Sequence, residues 1–426
     1  MKRILVISWF YPPVNSSEGL VTFKLLNSSR YQYDVFTQKA SDNWSYGKNS
    51  GLENKENVRS IFGKSKTIAD WQEEAVAFFD DHADEYDCVM TRSMPQESHV
   101  VGLKIKRAHP HVKWIASFGD PVKANPYQHI DCTLHSYHGM DNLINRDKPK
   151  RFRFAPKRIL LSLIWKLRHR YAIRIRKEMA SIEDGTMALA DAIIFNNESQ
   201  KKFMAKTPQI LEKSYVIHHS FEPSFYPKRD ATYHNEKLRF IFSGHLDAIR
   251  TAYPLLRALS DLKEDMPDLA QRAEFIFFGE MADSDLAYFV KNGLIDVVKF
   301  HKPIPYLQSL AEMQKADWLL HIDGNIGLAS DENIFFAAKI ADYFGSGSKI
   351  FAITMPQGDI VDILKNAGEM VLSYSANEIK QALYRIIYQN VTVTPNAAYI
   401  DTFSAKSVAN EFDEKVVAKL YGTNEN

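Results

Sequence analysis

The chain has 426 residues, with 53 Lys plus Arg against 52 Asp plus Glu and a formal net charge of +1. That length exceeds one ordinary core and implies two to three domains, while 45% hydrophobic and 25% charged residues match an average soluble globular protein. Cys88 and Cys132 form no CxxC pair, so neither a zinc site nor a disulfide framework is indicated and a reducing cytoplasm fits; no apolar run approaches the roughly 20 residues needed to span a bilayer.

MKRILVISWFYPP starts like a signal peptide, but its apolar run ends at Tyr11 before a double proline, without a small-residue cleavage site. RILVIS (Arg3 to Ser8) therefore reads as a first strand covered on both faces. The loop FYPPVNSSEG follows and ends in Gly19 just before a helical pattern. Glycine there lets another backbone or a ligand come close, although an ordinary strand-to-helix turn needs one too. Further strands are expected at YDVFT, DCVMTRS, KWIASF, DAIIFNN and SYVIHHSF, with helical stretches between several of them. This rhythm predicts an α/β domain with a parallel sheet over residues 1–222. Asp120, in SFGDP after a strand, is the first acid to test for a catalytic role; an Asp before proline also forms turns. His135 and His138, in LHSYHGM, form only a weak metal signal.

Residues 148–177 are unusual. Basic residues dominate from Lys148, and Asp147 is the last acid before Glu178. A helix over 157–178 puts Leu160, Ile164, Leu167, Tyr171 and Ile175 on one stripe, with Lys166, Arg170, Arg174 and Lys177 away from it. Phe152, Phe154 and Trp165 accompany the cations. Such an element suits an anionic membrane surface. The alternative is a stripe packed on the first domain with its charges solvated. Nothing else in the chain resembles a nucleic-acid module, so RNA and DNA are not expected partners.

The polar, Pro-containing stretch 223–236 reads as a linker. A second α/β unit, expected over 237–402, then begins with LRFIFSG, which ends in Gly244, and Arg250 precedes the next helix. A guanidinium there can grip a diphosphate bidentately; a solvated arginine at a helix start is the plainer reading. The strands EFIFFG, VVKFH, DWLLHID and KIFAIT follow, with helical segments between them. In SDENIFFAAKIADYFGSG, Ser330, Asp331 and Asn333 offer caps and amides at a predicted helix start, and Lys339 and Asp342 share a helix face, where an exposed ion pair is the alternative. A last helix, within 403–426, has no strand after it and is expected to return to the first domain. Neither GxGxxG nor GxxxxGK[ST] occurs, which disfavours a nicotinamide dehydrogenase and excludes a P-loop enzyme. No DxD follows a strand, so no metal is expected.

AAKIADYFGSGSKIFAIT resembles the donor-site signature of family-4 retaining glycosyltransferases: a lysine, two residues, an acid, a tyrosine, a glycine turn and a strand. The likeness extends to WFYPP, SSEG, SFGDPVKANPY, ADAIIFNNES, HHSFEPSFYP and SGHLDAIR, in order along nearly the whole chain. It implies two Rossmann-like domains facing a cleft, the GT-B architecture. It also implies transfer of a sugar from a nucleotide diphosphate donor, with no other cofactor, to a lipid-linked or glycan acceptor in surface polysaccharide synthesis. By that likeness Arg250 binds the diphosphate, Gly19 lets the first domain's loop close over it, and Gly244 belongs to the donor site. Asp342 holds the ribose, Lys302, Pro303 and Ile304 lie where the base sits, and Asn333 and Lys339 belong to the donor site. A cytoplasmic enzyme, peripheral at the inner membrane face, is implied. The family pairs two glutamates eight positions apart. Here Ile334 stands eight before Asp342, and the second acid is shortened. That departure favours the alternative of a catalytically weak sugar-nucleotide or membrane-binding scaffold.

Overall fold

Strands buried on both faces need helices on both sides, and this requirement shapes the structure. The computed structural model describes residues 3–14, 16–39, 51–126, 174, 177–228, 233–247, 249–327 and 330–422. One sheet contains β1 (Arg3–Ile7), β2 (Tyr33–Gln38), β3 (Val58–Gly63), β4 (Tyr86–Arg92), β5 (Lys113–Ser117), β6 (Ala192–Phe195) and β7 (Ser214–Val216), in the order β3-β2-β1-β4-β5-β6-β7. The other contains β8 (Leu238–His245), β9 (Ala273–Glu280), β10 (Val298–His301), β11 (Trp318–Ile322), β12 (Lys349–Ile353) and β13 (Met370–Leu372), in the order β10-β9-β8-β11-β12-β13. All pairings are parallel. These are two Rossmann-like lobes, as the sequence predicts. The edge strands β3 and β13 escape the sequence reading, because β3 carries exposed residues between its buried ends and β13 is only partly buried.

Alternation along β8 shows the layering. Phe240 and Phe242 bury in one core with Leu255 and Leu259 of the helix Tyr253–Asp265 and Leu383 of the helix Ala376–Gln389. Ile241 points to the opposite core, with Ile340 and Tyr343 of the helix Ala338–Ser346. Phe240 stacks on Phe275 at 4.5 Å between centroids, so aromatic contacts reinforce the register of β8 and β9.

The C-terminal helix returns to the first lobe. Val408, Phe412 and Val416 share a core with Ile4, Val6 and Phe23, each such buried side chain contributing about 1.5–3 kcal/mol. Asp413 fixes the docking by accepting from Ser29 Oγ at 2.6 Å and Arg30 N at 2.8 Å. The two crossings between lobes lie side by side: Phe221 N donates to Phe403 O at 3.0 Å, and Ala405 N donates to Phe221 O at 2.7 Å.

One local expectation is corrected. The helix predicted to start near Ser330 to Asn333 starts at Ala338 instead. Ile334 and Phe336 are buried in irregular chain ahead of it, and the Asn333 side chain accepts from Phe335 N at 2.9 Å rather than capping a helix. Cys132, His135, His138 and the basic segment 148–177 lie outside the described residues, except for Arg174 and Lys177, which are exposed.

Candidate functional site

In each sheet the strand order reverses at one place, between β1 and β4 and between β8 and β11. A crevice opens at the carboxyl ends of strands at such a switch point. Of the loops found there, the sequence reading singled out those after β1 and β8 and passed over those after β4 and β11.

In the first lobe, Glu18 stands in the first turn of the helix Ser17–Ser28, where the helix dipole favours a carboxylate. Its Oε2 lies 2.7 Å from Arg92 Nη2, at the end of β4, so the ion pair bridges the β1–β4 crevice. Arg92 also donates to Ser117 Oγ at 2.8 Å. Asp120 lies beside this pair on a loop pinned on both sides. Gly119 O accepts from Asn196 Nδ2 at 2.6 Å and Gln200 Nε2 at 3.0 Å, while Glu183 Oε2 accepts from Val122 N and Lys123 N, each at 2.8 Å. Burial and the nearby Glu18 carboxylate push the Asp120 carboxyl up to about 7, against the opposing pull of Arg250 and Arg92. Gly19 serves chain packing: a Cβ there would meet Tyr11 Cα at 3.1 Å and Phe10 C at 3.2 Å.

In the second lobe, the loop after β8 is held from both ends. Asp247 Oδ1 accepts from Ile249 N and Arg250 N, each at 2.8 Å, and Asp285 Oδ2 accepts from Ala252 N at 2.7 Å. This loop carries Arg250, whose Nε is buried. Its charge acts on Asp120 in the first lobe and on Asp323 and Lys339 in the second. Gly244 has φ +139, and a Cβ on it would lie 2.7 Å from Lys339 Nζ, so glycine makes the space that the lysine fills. Lys339 Nζ is buried, has no hydrogen-bond partner among the described residues and sits 4.1 Å from the Phe242 ring centroid. Burial and Arg250 bring this amine down to about 7, with Asp323 partly offsetting them.

Asp323, just past β11, is buried and engaged on several sides. It lies 3.0 Å from His321 Nε2, and its Oδ2 accepts from Asn333 Nδ2 and Thr354 Oγ1, each at 2.8 Å. Burial alone would raise its carboxyl, but His321, Arg250 and Thr354 outweigh that and hold it below the usual carboxylate range. Asn333 thus lies behind the crevice, in support of Asp323.

Lys339 and Asp342 do not form an ion pair with each other. Asp342 turns to the opposite lobe, where Lys24 Nζ, on a side chain only 1% exposed, donates to Oδ1 at 2.9 Å. Tyr306 OH donates to the same oxygen at 2.9 Å, and Tyr226 OH donates to Asp342 O at 2.7 Å. Lys302 and Pro303 are exposed and Ile304 half-buried. They follow β10, two strands from β8, or ~10 Å at ordinary strand spacing.

The sequence reading missed Glu18, Arg92, Lys24 and Asp323. A signal existed for Asp323: the buried strand WLLHI carries a histidine and is followed at once by an acid, in a stretch where apolar residues are the norm. Lys24 gave none, because its partner is 318 residues away.

No protein-family model matches the chain, and no curated protein matches it by sequence. Solved structures match it in fold. HepE from Anabaena in complex with UDP shares 13% identity over 98% of this chain and 100% of its own, with TM-score 0.59. Sucrose-phosphate synthase from Thermosynechococcus elongatus shares 14% over 100% of both chains, with TM-score 0.63. The lipopolysaccharide outer core galactosyltransferase WaaB shares 13% over 98% of this chain and 99% of its own, with TM-score 0.57. At these identities the likeness is one of fold, and function has to be argued from the site.

Proposed function

We propose that this chain is a glycosyltransferase that moves a sugar from a nucleotide diphosphate sugar to an acceptor held by the first lobe. The observation that carries this reading is the placing of Arg250 and Lys339 at the β8–β11 switch point, opposite Asp120. Two cationic side chains in a low-dielectric crevice stabilise a departing diphosphate, as fixed positive groups do for developing charge elsewhere. Lys302, Pro303 and Ile304, on the loop after β10, would hold the base of a donor whose diphosphate lies against Arg250. Asp120, with its carboxyl near 7, is suited to accept the acceptor hydroxyl's proton. The neighbours determined with UDP and the galactosyltransferase WaaB support the same donor class.

The finer reading rests on the sequence. It is a retaining, metal-independent transfer in which the leaving phosphate assists deprotonation. The acceptor is lipid-linked, in surface polysaccharide synthesis. The basic residues 148–177 dock the first lobe on the anionic inner face of the cell membrane. Among the described residues, no helix is long and apolar enough to cross a membrane.

A second reading, a binding scaffold without turnover, draws support from Asp342, whose carboxylate is taken by Lys24 and Tyr306. Calorimetry with UDP and GDP, followed by an assay of UDP-glucose and GDP-mannose hydrolysis in chelator, separates the readings. Binding with slow sugar release supports the transferase. Binding without any turnover supports the scaffold, and no binding overturns both.

A further inference from the structure

The second lobe's crevice holds two cationic side chains, of which only one can shed its charge near neutral pH. Arg250 remains a guanidinium throughout that range. Lys339 is a primary amine with its Nζ buried, hydrogen-bonded to no described residue, over the Phe242 ring and against Gly244. Each element packed around it contributes a definite charge. Arg250, from the loop after β8, opposes the ammonium, and Asp323, past the end of β11, favours it. His321, on β11, is engaged with Asp323 at 3.0 Å, and Asp342, on the helix of Lys339 itself, is turned away to Lys24. β8 adds only a ring and a glycine. Asp120 faces Arg250 from the other lobe.

Two full positive charges buried side by side repel, and letting one titrate relieves the empty site. Burial and Arg250 bring the Lys339 amine down to about 7. A bound diphosphate diester reverses the balance. It carries two negative charges that do not titrate near neutrality, and an anion beside an amine favours the ammonium.

Resting on the donor-site reading above, we infer that Lys339 takes up a proton as the diphosphate enters, making donor binding proton-coupled. The sign follows from linkage. The complex binds more protons than the free protein between the free-site value and the higher value in the complex. Affinity is therefore greatest below about 7 and falls as pH rises above it, by up to about tenfold per pH unit.

The test is calorimetric titration of the full chain with UDP-glucose and GDP-mannose at about pH 8, in buffers of different ionisation enthalpy. Wild-type protein is expected to take up close to one proton per nucleotide sugar bound, the value linkage gives for a mostly neutral amine that becomes charged. Lys339→Arg is expected to bind with uptake abolished, since arginine arrives already charged. Lys339→Met is expected to lose both the uptake and most of the affinity. Asp120→Asn keeps the uptake, which separates Lys339 from the other group with a value near 7. Binding with no proton uptake, or uptake that survives in Lys339→Arg, overturns the inference and leaves the donor site standing. Absence of binding by either nucleotide sugar overturns the donor-site reading and this inference with it.

Discussion

The two switch points have the same topology and opposite electrostatics. At β1–β4 the crevice is compensated, because Arg92 is matched by Glu18 and the remaining group, Asp120, is a carboxyl near 7. At β8–β11 it is not, because Asp323 is occupied by His321, Asn333 and Thr354 while Arg250 and Lys339 face the gap. On the proposed reading, the difference separates two jobs. A compensated crevice with a proton-accepting carboxyl suits a neutral hydroxyl. A crevice with surplus positive charge suits an anion.

The comparison breaks most sharply at Asp120. Replacing it with Asn is expected to lower turnover by about 10²–10⁴-fold, the usual contribution of a positioned general base, with donor binding retained. In the wild type, kcat/KM at saturating donor should rise with pH through about 7 as the carboxyl ionises, and the variant should lose that limb. Equal turnover and pH profile for both proteins would remove Asp120 from the chemistry.

The bridge that holds the two crevices in register comes next. Lys24→Met leaves Asp342 buried without its cation and is expected to cost about 3–5 kcal/mol, read by denaturant unfolding. Combining it with Asp342→Leu should recover much of that loss, since removing both charges also removes the uncompensated one. A single variant as stable as wild type would show that the bridge does not tie the lobes together.

Arg250→Ala sharpens the comparison from the donor side. Losing one charge-assisted contact to the diphosphate should weaken nucleotide binding by about 1.5–3 kcal/mol, measured by calorimetry, with the unfolding midpoint little changed. The smallest effect belongs to the membrane. Reversing Arg170 and Arg174 to Glu should weaken flotation on anionic liposomes by about 1 kcal/mol for each cation removed near the surface, and leave neutral liposomes unaffected.

The sequence made the frame legible because parallel sheets demand long apolar runs. RILVIS, FIFSG, WLLHI and KIFAI are hard to read otherwise, and the order of segments fixes the two lobes. Glycine at a strand end followed by arginine before a helix also pointed to the Gly244–Arg250 loop without structural help. What stayed hidden was pairing over long distances. Spacing on a helix placed Lys339 and Asp342 on one face, but it carries no information that Lys24 would claim the carboxylate and leave the amine to the cleft. The start of the helix Ala338–Ser346 was misread for a related reason. Asn333 looks like a cap in sequence, yet its amide supports Asp323 from behind the crevice, and Ile334 and Phe336 are buried ahead of the helix.

Hydrogen–deuterium exchange with and without UDP tests most directly whether a diphosphate is held between the switch points, since protection reports which backbone a ligand stabilises. The account predicts slowed exchange concentrated in residues 244–252 and 338–342, with a weaker effect around residues 118–121 across the gap. Protection confined to other surfaces, or no change at saturating UDP, would contradict it.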